Sequence, residues 1–450
     1  MGSSCSSGVL TLLHTACGAG ILAIPFAFKP FGLFFGFLMI FFCGLCSLAG
    51  LIIQGRVSKY VESKNASFFA LSQVTYPQLS VVFDLAIAVK CFGVGVSYLV
   101  VVGDLLPRIF GVFTSHALFL SRNFHITMVM LFIVSPLCFL KKLSSLRYAS
   151  MIAISSVAYL CGLVLMHFFW PSDEIQDLKG NVSLGVPHGP ITALFSCFPI
   201  FVFSYTCHHN TFSIINELQN NSVKAIYKMA SISVLVAMTL YLAIGGSGYA
   251  TFGDHVVGNI VTLYPQSPAT TIGRIAIALL VMLAFPLQCH PARASIDHML
   301  HFFKPRTGNE AQELETSQLI EPTTEDEREI QAEEGADGGV GSQQQQIALP
   351  LEGKRFIMIT TSILVLSYLL AVSVTSLARV LAVVGATGST SISFILPGIF
   401  GYKLIGSEYE ASQMPASSQR LRFLSLALSL WGVMVLITCL SATLFFGAGH

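Results

Sequence analysis

The sequence predicts an all-α, multi-pass membrane protein with about eleven transmembrane helices. Of its 450 residues, 54% are hydrophobic and only 10% are charged, and the mean hydropathy is +0.72. Soluble domains carry about 25% charged residues, so most of this chain is expected to face lipid or other apolar helices. The net charge of +1 gives no basic surface for a nucleic acid, which excludes that class of partner.

Eleven apolar runs are long enough to cross a bilayer, whose hydrocarbon core of roughly 30 Å requires about 20 helical residues. They lie near residues 8–28, 32–54, 80–106, 124–140, 148–170, 190–209, 226–250, 271–291, 356–376, 379–401 and 421–446. The fourth is the shortest. The first has no Lys or Arg ahead of it and no small-residue cleavage site, so we expect a permanent span and not a signal peptide.

Basic residues in the loops predict how these spans are oriented. With the N-terminus in the cytosol, 17 Lys and Arg residues fall in cytosolic loops and 6 on the opposite side. The positive-inside rule therefore places the N-terminus in the cytosol and, with an odd number of spans, the C-terminus on the far side. The sequon Asn181-Val182-Ser183 lies in a far-side loop, where Asn181 is either a glycosylation site or an unused sequon.

Two of the runs are interrupted near their middle. Gly18-Ala19-Gly20 breaks the first, and in the sixth Pro199 precedes a polar stretch of Ser204, Tyr205 and Thr206. Backbone that unwinds inside a bilayer must meet protein or a wet cavity, and transporters use such breaks to hold substrate and ions. Two interrupted helices at the start of corresponding halves indicate an inverted repeat.

The inverted repeat divides the chain into three parts. Residues 1–170 hold the first five spans, residues 190–401 hold the second five, and span 421–446 is an addition. Residues 305–354 interrupt the second half and carry 12 of the 23 acidic residues of the chain. Their composition predicts a disordered cytosolic linker, which either only joins two parts of one domain or carries regulatory contacts.

Neither a metal nor another cofactor is expected. Cys43 and Cys46 have CxxC spacing, but no second pair and no nearby His or Asp completes the four ligands of a structural zinc. Small apolar thiols that pack between helices are the simpler interpretation. An intramembrane enzyme is also disfavoured, because the chain has no HExxH motif and no paired carboxylates at depth.

Charged residues within the spans are candidates for proton coupling, because such residues are costly in a bilayer. In the third span, Asp104 is predicted to accept protons, to gate access or to pair with Arg108. Lys90 is expected to extend toward the cytosol or to pair with Asp84, which would be a structural role.

Histidine changes charge between an acidic compartment and the cytosol, since its unperturbed pKa is about 6.5. His14 stands one helical turn before Gly18, and His208 follows the polar stretch of the sixth span. Both are predicted proton-coupling residues, with a satisfied polar contact as the alternative for each. For His209 the satisfied contact is preferred.

These segments together resemble the amino acid/auxin permease family, and within it the fungal vacuolar amino-acid transporters. The resemblance is carried by GVLTLLHTACGAGILAIP at 8–25, VSYLVVVGDL at 96–105, FSYTCH at 203–208, NEL at 216–218 and FPLQCHP at 285–291. It covers nearly all of the membrane part and fails in the acidic linker. It implies eleven helices, ten of them in a LeuT-like five-plus-five arrangement, with substrate between the broken first and sixth helices.

The resemblance also implies a substrate site for an amino acid. The family pattern places the substrate carboxylate against the backbone of the first break, and the second break lines the opposite side. The residues are Cys17, Gly18, Ala19, Gly20 and Ile21 at the first break and Ser204, Tyr205 and Thr206 at the second. Free amides at the start of a half-helix suit a carboxylate, and unwound carbonyls suit an ammonium. Sodium-coupled relatives have Asn where this chain has His14, which favours a proton over sodium as the coupling ion.

The function expected from these features is a proton-coupled transporter that exports neutral or acidic amino acids from the vacuole lumen to the cytosol. The alternative is an amino-acid sensor that signals through the acidic linker. Neither the particular amino acid nor the oligomeric state follows from the sequence.

Overall fold

The computed structural model describes residues 4–62, 64–140, 147–187, 189–302, 353–410 and 413–445. Helices follow the predicted spans, and we number them by those spans. They are helix 1a (Cys5–Ala16), 1b (Gly20–Ala27), 2 (Gly32–Val57), 3 (Ser80–Phe110), 4 (Arg122–Cys138), 5 (Arg147–Phe169), 6a (Ile191–Ser204), 6b (His208–Glu217), 7 (Val223–Phe252), 8 (Pro268–Phe302), 9 (Lys354–Ser373), 10 (Leu377–Leu404) and 11 (Ala416–Phe445).

The predicted fold class, an all-α multi-pass membrane protein, is confirmed. Nine helices in the described part of the chain are long and apolar enough to cross a membrane, and helices 1a and 1b together make a tenth, bent by 58°. Helix 4 occupies the fourth predicted span and is shorter than these, as its sequence indicates. Most of the predicted linker lies outside the described residues.

Helices five apart in the chain pack against each other. Helix 1b lies against 6a, helix 1a against 6b, helix 2 against 7, and helix 3 against 8. Small residues allow this close approach: a Cβ built on Gly44 of helix 2 would lie 2.5 Å from the Met238 side chain of helix 7. The breaks in helices 1 and 6 therefore meet inside the bundle.

Helix 10 departs from α-helical geometry beside helix 6. Residues Gly385–Ser389 and Ser391–Ile395 form two π-helical turns. Gly385 packs on the backbone carbonyl of Pro199 in helix 6a, and the Ser393 hydroxyl lies 3.3 Å from that of Thr206. Because π-helical turns are frequent at functional sites, this segment draws attention to the region around the sixth-helix break.

Polar contacts fasten the end of the bundle at which helix 1a begins, which we call the near end. Asp297 of helix 8 forms an ion pair with Arg355 of helix 9 at 2.8 Å, and His301 lies 2.8 Å from Arg355. These contacts hold together the two helices that flank residues 303–352.

A second near-end cluster joins helix 2 to the segment after helix 10. Glu408 accepts from Arg56 at 3.3 Å and from the Tyr60 hydroxyl at 2.8 Å; we call this the near-end latch. Desolvation raises the pKa of Glu408. Hydrogen bonds from its own backbone and from Tyr60, together with the Arg56 charge, lower this pKa by more, so that it lies below its usual value. Desolvation and the hydrogen bond to Glu408 raise the pKa of Tyr60.

Candidate functional site

The first break lies between helices 1a and 1b. Residues 17–19 are not helical: the Cys17 amide donates to Leu13, and the Gly18 amide turns back to Ala16 at 2.9 Å. The Ala19 amide has no backbone acceptor among the described residues. Amides at the start of a helix carry partial positive charge, so this position suits an anion such as a carboxylate.

The second break lies between helices 6a and 6b. Residues 205–207 are not helical, and helix 6a ends where the Ser204 hydroxyl donates to Ile200 at 2.8 Å. Ser204, Tyr205 and Thr206 are all buried. Of the three, Ser204 faces the first break. Tyr205 packs against Gly44 of helix 2, and Thr206 faces Ser393 of helix 10.

The two breaks are in direct contact. A Cβ built on Gly20 would lie 2.7 Å from the Ser204 hydroxyl and 3.1 Å from its Cα, so only glycine fits there. Toward the near end, Asn210 of helix 6b donates to the Thr15 hydroxyl of helix 1a at 3.1 Å. The structure thus brings Gly20 together with Ser204, as the predicted substrate site requires.

Tyr241 of helix 7 joins both breaks. Its hydroxyl lies 2.6 Å from the Ser204 carbonyl oxygen and 3.1 Å from that of Ala16, and Cys17 Sγ is 3.9 Å away. The carbonyl oxygens at the ends of helices 1a and 6a thus point at the same position, the Tyr241 hydroxyl. Sequence reasoning missed Tyr241, because one Tyr in an apolar run is indistinguishable from a core residue.

Tyr98 of helix 3 is a second residue of this region that sequence reasoning missed. Its hydroxyl would lie 3.0 Å from a Cβ built on Gly18, and the ring is buried. Its side chain also contacts that of Gln288 in helix 8. Tyr98 lies within a segment that carries the family resemblance, which is the one signal that could have found it.

The three predicted proton-coupling residues lie in different parts of the bundle. His14 Nδ1 is 3.0 Å from the Ser150 hydroxyl of helix 5. His208 Nε2 lies 3.1 Å from the Ser47 carbonyl oxygen of helix 2, and its Nδ1 is buried without a hydrogen-bond partner in the described structure. His14 therefore faces helix 5, whereas His208 faces helix 2.

Asp104 lies near the far end of helix 3. It accepts from Asn259 at 3.2 Å and faces Arg122 of helix 4 at 3.9 Å. Arg122 in turn donates to the Val374 carbonyl at 2.9 Å. The predicted pairing of Asp104 with Arg108 is therefore replaced by contacts that join helices 3 and 4 to the loops after helices 7 and 9.

The expected pairing of Lys90 with Asp84 is wrong. Asp84 lies 3.6 Å from His298 of helix 8, whereas Lys90 is buried and contacts His209, two residues beyond the second break. Along the sequence no Lys or Arg stands beside either break, but folding brings Lys90 close to one. The contact was invisible because Lys90 and His209 are 119 residues apart.

A cavity of about 720 Å³ opens at the far end. Charged residues at its wall are Lys29, Asp254, His255 and Arg379. Among its lining residues none comes from either break. The break residues are buried below it, so the cavity is an outer vestibule and not the predicted substrate site.

The predicted glycosylation site lies beside this vestibule. Asn181 is exposed. Its backbone amide donates to the Asp254 carboxylate at 2.7 Å, and its backbone carbonyl accepts from the backbone amide of Asp254 at 3.0 Å. The backbone of this residue is thus docked and the residue is exposed, and its glycosylation stays a prediction.

Comparison with known proteins gives one consistent family. A family model described as "Transmembrane amino acid transporter protein" matches residues 1–438. The chain is 56% identical to "Vacuolar amino acid transporter 6" of Saccharomyces cerevisiae over 99% of each chain. It is 37% identical to "Vacuolar amino acid transporter 5" of Schizosaccharomyces pombe, over 97% of this chain and 93% of that one. It is 26% identical to "Sodium-coupled neutral amino acid transporter 7" of Homo sapiens, over 66% and 65% of the two chains.

Proposed function

The chain belongs to the transmembrane amino acid transporter family, and on this premise we propose that it is a proton-coupled amino-acid transporter of the vacuolar membrane. Its cargo is neutral or acidic amino acids, which it moves from the lumen to the cytosol. The names of the yeast relatives support the compartment and the class of cargo. Family and relatives are transporters and not enzymes.

The contact between the two breaks is the observation that carries this proposal. A substrate carboxylate would lie at the start of helix 1b, against the backbone from Cys17 to Ile21, where the Ala19 amide is free. Its ammonium would face the carbonyls of Ala16 and Ser204, which the Tyr241 hydroxyl now bridges. Packing of helices 1 to 3 against 6 to 8 in pairs supports a LeuT-like arrangement of two inverted repeats.

A proton is proposed as the coupling ion because the side chain of His14 offers sodium a ring nitrogen and no oxygen. An imidazole is a poor sodium ligand, and the ring of His14 is held by the Ser150 hydroxyl. His208 and Asp104 are proposed to lie on the proton route, at the near and far halves of the bundle. Because His14, His208 and Asp104 lie in different parts of the bundle, none of them forms a complete proton site by itself.

The direction follows from the gradient and the orientation. The excess of basic residues supports a cytosolic near end and a lumenal far vestibule. A lumen one pH unit more acidic than the cytosol stores about 1.4 kcal/mol per proton, which a symporter spends to move its cargo outward from the lumen.

Reconstitution of the purified chain in liposomes tests this function. We expect a panel of the twenty radiolabelled amino acids to include cargo that accumulates when the outside is acidic, and a protonophore to abolish this accumulation. Accumulation that needs sodium and ignores the protonophore would reject proton coupling. Failure of every amino acid to cross would reject the transport function itself.

A further inference from the structure

Lys90 lies at the centre of a buried polar cluster that joins three helices. Its Nζ on helix 3 is 2.9 Å from both ring nitrogens of His209 on helix 6b and 3.2 Å from Gln288 Oε1 on helix 8. Lys90 is 2% exposed and His209 is 8% exposed. The cluster is thus sealed inside the bundle, just on the near side of the second break.

Among the described residues, no negative charge balances this lysine. Within the described residues no carboxylate forms an ion pair with Lys90, and Asp84 on the same helix faces His298 instead. A buried ammonium without a carboxylate partner is costly in a membrane protein. The other titratable groups that face it are Cys91 of its own helix and Cys207 and His208 of the sixth helix.

Two basic groups in contact can hold one proton between them but not two. If Lys90 is an ammonium, it donates to a neutral His209 and to Gln288. If Lys90 is a neutral amine, its N–H groups still donate to Gln288, and His209 stays in contact with it. A second proton would place like charges 2.9 Å apart in an apolar interior. Both the one-proton state and the proton-free state therefore keep the cluster hydrogen-bonded.

We propose that Lys90 and His209 together are the site that binds the coupling proton. This inference rests on the proposed function and locates its proton. The proton enters from the lumenal side onto the Lys90 amine and converts it to the ammonium. It leaves to water when the near end opens, and Lys90 returns to the amine.

The cluster is connected to the substrate site by direct contacts. His209 is the second residue of helix 6b, two residues beyond the break, and Gln288 contacts Tyr98, whose hydroxyl lies at Gly18. On the opposite face, Gly388 in a π-helical turn of helix 10 packs on Lys90, and a Cβ built there would lie 2.6 Å from Lys90 Cβ. A change in the Lys90 charge therefore acts on helices 6, 8 and 10 at once.

Three variants separate a coupling site from a structural residue. Lys90→Met removes the titratable amine, Lys90→Arg keeps a permanent charge, and His209→Asn removes the proton-sharing ring. Lys224→Met, at an exposed lysine of helix 7, is the matched control. Each purified chain is placed in liposomes with a trapped pH-sensitive dye. The radiolabelled amino acid that gives wild type its largest proton flux is the probe.

We expect the three variants to exchange labelled for unlabelled amino acid within about threefold of wild type. Accumulation driven by a pH gradient and the accompanying proton flux should fall at least tenfold, and exchange should no longer depend on pH. Lys224→Met should retain both. Thermal unfolding in detergent checks that each variant is folded.

Other results overturn the assignment in distinguishable ways. Accumulation and proton flux that persist in Lys90→Met would place the proton elsewhere. Equal loss of exchange and accumulation in all three folded variants would assign a structural role. Loss of glutamate exchange with intact glutamine exchange would assign Lys90 to substrate binding. A wild type that accumulates cargo without protons would reject the proposed function, and this inference with it.

Discussion

The hydroxyl of Tyr241 lies 2.6 Å from the backbone carbonyl oxygen of Ser204. Ser204 is the last residue of helix 6a, so this carbonyl has no acceptor role within its own helix. The same hydroxyl reaches Ala16 at the end of helix 1a. One side chain of helix 7 therefore holds the ends of two half-helices, and its removal tests whether the breaks work as a unit.

Tyr241→Phe is expected to lower the initial transport rate about tenfold. The ring stays packed, but the buried Ser204 carbonyl loses its donor, whereas the Ala16 carbonyl keeps the Gly18 amide. An unsatisfied buried group costs ~1–3 kcal/mol. Initial rates of uptake in liposomes measure the effect. Tyr159→Phe is the control, because the Tyr159 hydroxyl also donates to a carbonyl, that of Ala269, away from the breaks. Equal rates in the two variants would remove Tyr241 from the site.

Gly20→Ala is expected to reduce transport at least tenfold in a folded protein. The new methyl group would meet the Ser204 hydroxyl and Cα, and overpacking of this kind costs ~1–3 kcal/mol. The hydroxyl is held by Ile200 and is not free to swing away. Gly162→Ala on helix 5 is the matched control, since nothing lies within 4 Å of its added Cβ. A wild-type rate in Gly20→Ala would show that the two breaks separate freely.

His14→Ala is expected to flatten the dependence of the uptake rate on lumenal pH. An alanine cannot carry a proton past the near half of helix 1, where His14 lies beside Ser150. Initial rates at two lumenal pH values measure the response. Ser150→Ala removes only the partner hydroxyl and should keep the response. If His14→Ala also keeps it, His14 is not part of the proton route.

Deletion of residues 308–350 is expected to leave the transport rate within about twofold of wild type. Helices 8 and 9 are joined by the Asp297–Arg355 ion pair and do not need these residues to meet. Uptake and thermal unfolding measure the outcome, and the same deletion combined with Arg355→Gln should lower the unfolding temperature. Loss of transport in a folded deletion variant would instead favour the alternative function, a sensor that signals through this linker.

Glu408→Gln is expected to loosen the near end. The pKa of Glu408 lies below its usual value, so its charge is present above the ordinary carboxyl pKa and is lost only as pH falls through the lower one. The near-end latch is therefore intact at neutral pH. A surface ion pair contributes up to about 1 kcal/mol, so amide hydrogen exchange around residues 56–62 and 404–410 should rise up to ~5-fold. Glu410→Gln, at an exposed neighbour, should leave it unchanged. Unchanged exchange in Glu408→Gln would mean that the latch does not hold this end.

The sequence predicted the helices and the position of both breaks because these depend on local properties. Long apolar runs define spans, and a Gly pair or a polar stretch within a run marks unwinding. The contacts that complete the site are not local. Tyr241 and Ala16 are 225 residues apart in the sequence, and Lys90 and His209 are 119 residues apart. No local pattern in either segment therefore predicts the partner. The π-helical turns of helix 10 were also missed, since the Gly, Ser and Thr residues of 385–395 are equally typical of ordinary close packing between membrane helices.

The Asp297–Arg355 ion pair also determines where this chain can be lengthened. Because the fold already brings the ends of residues 303–352 together, closure of this loop costs little more for a longer insert: each doubling of loop length adds only about 0.6 kcal/mol. A fluorescent reporter domain inserted between residues 308 and 350 should therefore leave the bundle intact and follow the protein in living cells.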